Sequence, residues 1–214
     1  EIERQDKRIW FRTGMLRKKQ FPVRKYVFQE GRREVADWIT TYGGIHFFPL
    51  EPEADKIEIT DVAHALSLIC RGNGHVKTFF SVGQHCIHCA LEAEARGYGS
   101  RIALACLLHD ASEAYMSDVP RPFKQHLSDY ISHEKTLLDI VYTKYLGSRL
   151  DEEEEKKVKE IDDDMLYYDL KILLRGDSEE APPIMKTHFS YEVLPFEVIE
   201  KRYLELFERY YREL

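Results

Sequence analysis

The run at residues 102–108, inside RIALACLLHDASEAY, constrains this chain more than any other stretch. It is apolar at every position, so as a helix it offers no face to water. It is therefore predicted to lie buried at the centre of a helical fold. Yet it leads straight into His109 and Asp110. A carboxylate carried into an apolar interior costs several kcal/mol unless a cation, a hydrogen-bond network or a metal compensates. Glu113 follows four residues after His109 and three after Asp110, offsets that share one helical face. The pattern fits either a salt-bridge cluster at a helix end or a site that handles a metal and a proton. These residues alone leave both open.

The surrounding pattern is also helical. A first helix is expected from Thr60 or Asp61, either of which can cap it, with Val62, Leu66 and Ile69 on its apolar face. It ends at the glycines of RGNGH. A second is expected from about Ser81 to Arg96, and a third from about Ser100 to Tyr115, followed by the loop SDVPRP. A fourth spans about 128–146 and stops at Gly147. A fifth begins at the acidic run DEEEE, which complements a helix N-terminus, and reaches about Leu174. The last spans about 196–213, with Ile199, Tyr203, Leu206 and Tyr210 as its apolar stripe. Upstream, WITTYGGIHFFPLEPEADK carries a Gly-Gly pair, prolines and aromatics, the signature of a hairpin or irregular patch. The expectation is an all-α bundle with a small β-hairpin near its N-terminal part, divided into a basic arm (1–35) and a folded body (36–214).

Charge sharpens that division. The net charge is -7 overall, yet residues 1–35 hold 11 Lys and Arg against 5 Asp and Glu. An acidic body argues against a generic nucleic-acid binder. A solvated or partner-packed arm is the plainer reading of the basic segment. No apolar run approaches a membrane span and no secretory leader is visible. Of the four cysteines, Cys70 and Cys106 fall in apolar runs and read as buried hydrophobes. A reducing cytoplasm is the expected compartment. The segment HCIHC (85–89) invites a zinc or redox reading, but it has no second CxxC and continues a helix.

The order His85, His109-Asp110, Asp162 resembles the H…HD…D signature of the HD-domain superfamily of metal-dependent phosphohydrolases. FSVGQH (80–85), LLHDASEAYMSDVPRPFK (107–124) and VKEIDDDML (158–166) resemble the segments around those residues in bacterial nucleotide-cleaving members, as do DVAHALSLICRGNGH and WITTYGG. The resemblance covers roughly residues 36–175. It implies a helical fold and a divalent metal held by His85, His109, Asp110 and Asp162. Imidazole and carboxylate donors suit Mn, Co, Ni, Fe or Zn, and the carboxylate share also admits Mg. Within DDD, the register leaves Asp162 and Asp164 open and turns Asp163 outward; the resemblance favours Asp162.

The resemblance further implies that Glu113 accepts a proton from the attacking water, and that Asp118 protonates the leaving oxygen or contacts the sugar. The alternative for Asp118 is a turn aspartate. Arg71 and Lys124 are the leading phosphate-binding cations, with His75 and Lys77 behind them; the alternative for each is a solvated surface cation. One related type carries a tryptophan after the arginine, where this chain has Gly72, so Trp38 or Tyr42 is considered as a base-stacking surface.

The implied reaction is hydrolysis of a nucleotide, first a deoxynucleoside 5'-monophosphate to nucleoside and phosphate. A deoxynucleoside triphosphate releasing triphosphate is the second candidate. A non-catalytic nucleotide sensor and a zinc or redox protein centred on HCIHC are the alternatives from other classes. A homodimer is implied by resemblance only.

Overall fold

In the computed structural model the described residues are 37–174 and 181–214. The expected basic arm lies outside them. The described chain opens with an antiparallel hairpin, in which β1 (Ile39–Thr40) pairs with β2 (His46–Phe47) in the register Ile39 to Phe47 and Thr40 to His46. Its turn is pinned from below. The Gly43 N–H donates to Asp61 Oδ1 at 2.6 Å, and a side chain at Gly43 would place its Cβ 2.8 Å from that same oxygen. Asp61 therefore holds the hairpin rather than capping the first helix. That helix, α1 (Ile59–Leu68), starts after Glu58 with no side-chain cap.

The remaining elements follow in order. They are α2 (Val82–Ala95), α3 (Gly99–Leu108), α4 (Glu113–Met116), α5 (Arg121–Lys124), α6 (Ser128–Leu146), α7 (Glu152–Leu173) and α8 (Phe196–Arg212). Ser81 caps α2 by accepting the Gln84 N–H at 3.1 Å. α7 begins with a capping box in which Asp151 and Glu154 each accept the other's backbone N–H. α6 stops at Gly147 as the glycine predicts.

As its composition requires, α3 is central. Residues 102–108 are all buried, and α2, α6, α7 and α8 all contact this helix. α8 contributes Ile199, Tyr203, Leu206, Phe207 and Tyr210 to the same core, and the buried Tyr203 hydroxyl donates to the Leu107 carbonyl at 2.6 Å. Each buried leucine here contributes about 1.5–3 kcal/mol. The fold class expected from sequence is the one found: mostly helical, with a two-stranded sheet near the N-terminal part. Among the described residues, no helix is long and apolar enough to cross a membrane.

The third helix departs from expectation. It ends at Leu108 and does not run on to Tyr115. Between His109 and Ser112 the backbone tightens, with Ala111 N–H donating to Leu108 O and Glu113 N–H to Asp110 O, both at 2.9 Å. These bonds close over three residues rather than four, so the chain passes through a tighter, 3₁₀-like turn at the HD pair before α4 begins.

Candidate metal centre and adjoining cavity

Three elements deliver the donor atoms. His85 lies on α2 and is fully buried. His109 and Asp110 occupy the tight turn after α3, and Asp162 lies midway along α7. His85 Nε2 is 3.2 Å from Asp162 Oδ1 and 4.0 Å from Asp110 Oδ2. His109 Nε2 is 3.3 Å from Asp110 Oδ2 and 3.6 Å from Asp162 Oδ1. These spacings suit donors placed about 2.0–2.2 Å from one shared cation.

His109 shows how local structure prepares a donor. Its Nδ1–H donates to the Cys106 carbonyl at 2.7 Å, which leaves Nε2 as the bare ring nitrogen. That Nε2 is buried and has no hydrogen-bond partner. A buried nitrogen that has no protein partner and faces two carboxylates suits a shared cation, so the residues present fit a divalent metal. Of the other aspartates of the run, Asp163 shares Arg121 with Asp162, at 2.9 Å and 3.0 Å, and Asp164 pairs with Arg96 at 2.7 Å.

Electrostatics follow from this crowding. Burial alone would raise the Asp162 pKa, but the two imidazoles outweigh it and hold the carboxyl well below its ordinary range. Burial and the Arg71 charge oppose a protonated His85. Cys89 and the hydrogen bonds to Asp162 and Asp169 overcome them, and its pKa is raised.

Both thiols of HCIHC approach the donors. Cys89 Sγ lies 3.5 Å from His85 Nε2, and Cys86 Sγ lies 4.0 Å from Asp110 Oδ2. Donor atoms of His85, Cys89 and His109 lie within 4.8 Å of one another, as do those of Cys86, His109 and Asp110. Sequence reasoning set these cysteines aside from the site. Burial pushes the Cys86 thiol up, and a thiol binds metals far less well than a thiolate.

A cavity of about 410 Å³ opens beside the donors. It is lined by Asp110, Asp162, Glu113, Asp118, Arg71 and Lys124 among its polar groups, and by Leu166, Leu170 and Leu173 among its apolar ones. Glu113 is buried, and its Oε2 has no hydrogen-bond partner. Burial, with the charges of Asp110 and Asp118, pushes its pKa well above the carboxylate range. Arg71 lies 3.4 Å from Asp110 Oδ2 and 3.2 Å from Asp169 Oδ2. Lys124 pairs with Glu134 at 2.6 Å.

Gly72 is also accounted for. It adopts φ +58°, a left-handed conformation that glycine tolerates best. Its N–H donates to Asp118 Oδ2 at 3.3 Å. This position orients Asp118 through its backbone, where the related type has a tryptophan.

The remaining sequence candidates lie apart from this cavity. His75 and Lys77 are exposed, and Lys77 donates to the Ile172 carbonyl at 2.8 Å. Trp38 stacks on His46 and Tyr42 on His64, each with ring centroids 3.6 Å apart. None of the four lines the cavity. Two residues were missed: Arg121, which lines the cavity and bonds Asp162 Oδ2 at 3.0 Å, and Asp169. Asp169 lies on α7 seven residues after Asp162, two turns along the same face, and bonds both His85 and Arg71. Its spacing from Asp162 was the only sequence signal available.

Two curated bacterial proteins are similar to part of this chain. The uncharacterized protein YfdR of Escherichia coli (strain K12) is 38% identical over 108 residues, covering 50% of this chain and 58% of its own length. An uncharacterized protein of Rhodobacter capsulatus is 33% identical over 113 residues, again covering 50% of this chain and 58% of the relative. The chain thus spans little more than half the length of these relatives. No protein-family profile matches it.

Proposed function

We propose that this chain is a metal-dependent phosphohydrolase acting on a nucleotide, with deoxynucleoside 5'-monophosphates as its first substrate class. The observation that carries this reading is the orphaned His109 Nε2, facing Asp110 and Asp162, which line a cavity together with Glu113 and Arg71. The resemblance to HD-domain phosphohydrolases supports the same reading. A divalent cation held by His85, His109, Asp110 and Asp162 supplies Lewis acidity toward a phosphoryl oxygen and makes water more acidic.

The chain's own residues do the rest. Arg71 and Lys124 flank the cavity and hold the phosphate oxygens by charge-assisted hydrogen bonds. The raised pKa of Glu113 makes it a strong base once ionised, and its free Oε2 takes the proton of the attacking water. As the new P–O bond forms, the ester P–O bond breaks. Asp118, oriented by the Gly72 N–H, returns a proton to the departing 5'-oxygen or holds the sugar. The leucines of α7 give the nucleoside an apolar surface and keep bulk water from the reacting phosphate.

The test is release of phosphate, pyrophosphate or triphosphate from a panel of ribo- and deoxynucleotides. Metal-stripped protein is reloaded with Mn, Co, Ni, Fe, Zn or Mg, beside an Asp110→Ala control. Metal-dependent phosphate release that the control lacks is the expected result. Triphosphate release instead would move the assignment to triphosphates. Tight nucleotide binding with no turnover under any metal would make the protein a sensor.

A further inference from the structure

We propose that Asp169, steadied by Tyr191, is a positioning residue that fixes both the tautomer of His85 and the aim of Arg71, so that one buried carboxylate serves metal and phosphate together. This rests on the metal-centre reading above and names residues that neither the resemblance nor the motif spacing assigns.

Asp169 is 3% exposed on its side chain, yet all its acceptor needs are met. Oδ2 accepts from His85 Nδ1 at 3.0 Å and from Arg71 Nη2 at 3.2 Å, and Oδ1 accepts from the Tyr191 hydroxyl at 3.0 Å. A buried carboxylate with three donors is rigid, and reorienting it breaks charge-assisted bonds. With its Nδ1–H committed to Asp169, His85 presents Nε2 toward Asp162 and Asp110. His109 reaches the same state by a local route, its Nδ1–H held by Cys106 O within one helical turn. His85 has no such local acceptor, so the fold supplies one from α7.

Tyr191 is itself held. It belongs to the irregular segment before α8, which Glu92 of α2 fastens by accepting Lys186 N–H at 2.9 Å, Thr187 N–H at 3.0 Å and the Thr187 hydroxyl at 2.7 Å. The Tyr191 ring stacks on Phe80 with centroids 5.2 Å apart. The phenol is thereby directed at Asp169 from a strap fixed on both sides of it.

The test separates positioning from plain structural support. Asp169→Asn keeps the shape, but its amide can donate to His85 Nδ1 and move the ring proton to Nε2, the wrong tautomer for a ligand. Tyr191→Phe keeps the carboxylate and removes one donor. Mn²⁺ affinity is measured by competition with a chelator, and inorganic phosphate binding is measured at saturating Mn²⁺. Zn²⁺-loaded protein labelled with ¹⁵N-histidine reports which ring nitrogen of His85 carries the proton.

In Asp169→Asn the Mn²⁺ dissociation constant is expected to rise about 10- to 100-fold, phosphate binding to weaken, and the His85 tautomer signal to shift. Tyr191→Phe is expected to move all three the same way by less. Folded variants that bind Mn²⁺ within about twofold of the parent overturn the proposal. If Asp169→Asn fails to fold, Tyr191→Phe decides by the same readouts. An Asp110→Ala control that abolishes Mn²⁺ binding while both variants retain it removes the positioning role alone. A parent protein that binds no Mn²⁺, or an unaffected Asp110→Ala, removes the metal-centre reading and this proposal with it.

Discussion

Glu113 combines burial, an oxygen without a partner and a place in the cavity wall. A structural carboxylate so buried would be expected to have found donors, as Glu92 has with four hydrogen bonds from residues 186 and 187. The contrast sets a carboxylate that builds the fold apart from the one to which the proposed mechanism gives the water's proton. Glu113→Gln is expected to lower kcat by about 10²- to 10⁴-fold while leaving Mn²⁺ affinity near that of the parent, measured by steady-state kinetics beside chelator competition. Equal loss of metal affinity would make Glu113 a ligand and not a base. The sequence brought Glu113 beside His109 and Asp110 as neighbours on one continuous helix, and that continuity is absent. The backbone turns tightly at residues 109–112, and Glu113 reaches the cavity from a new short helix.

At the level of elements, α2 is the common support of the site. One face carries His85 to the donors, and farther along Glu92 anchors the strap that bears Tyr191. Burial would raise the Glu92 pKa, but hydrogen bonds from Thr187, Arg96 and the Lys186 and Thr187 N–H groups outweigh it and hold it low. A depressed carboxylate contributes stability above its unfolded pKa, near 4.3, and loses it as pH falls through the lower folded value. Glu92→Gln is therefore expected to cost about 1–3 kcal/mol at pH 7. The difference from the parent should narrow below about pH 4 as the parent's carboxylate protonates. Urea unfolding at pH 7 and pH 3.5–4 checks this, and a difference independent of pH would assign the loss to packing. Helix limits set by local chemistry, such as the acidic start of α7 and Gly147 after α6, were legible in the sequence. The role of Glu92 in fastening the strap was not, because Lys186 and Thr187 lie more than ninety positions away.

For the whole molecule, a cation that binds only the folded state stabilises it by mass action. At a concentration about 100 times its dissociation constant the gain is about 2.7 kcal/mol. For a chain of this size that is about 5–10 °C in Tm. Thermal melts with Mn²⁺ and with EDTA are expected to differ by that much in the parent and to coincide in Asp110→Ala.

The sequence by itself determined the helical class and the central burial of residues 102–108, and through the resemblance it brought forward His85, His109, Asp110 and Asp162 as proposed metal ligands, because periodicity, capping and motif order are properties of neighbours in the chain. Only the tertiary structure left His75, Lys77, Trp38 and Tyr42 out of the cavity lining, brought the HCIHC thiols up to the donors and joined Asp169 to His85 across eighty-four positions. The physical reason is that convergence in space depends on which helix faces pack against α3, and no local preference of the backbone encodes that.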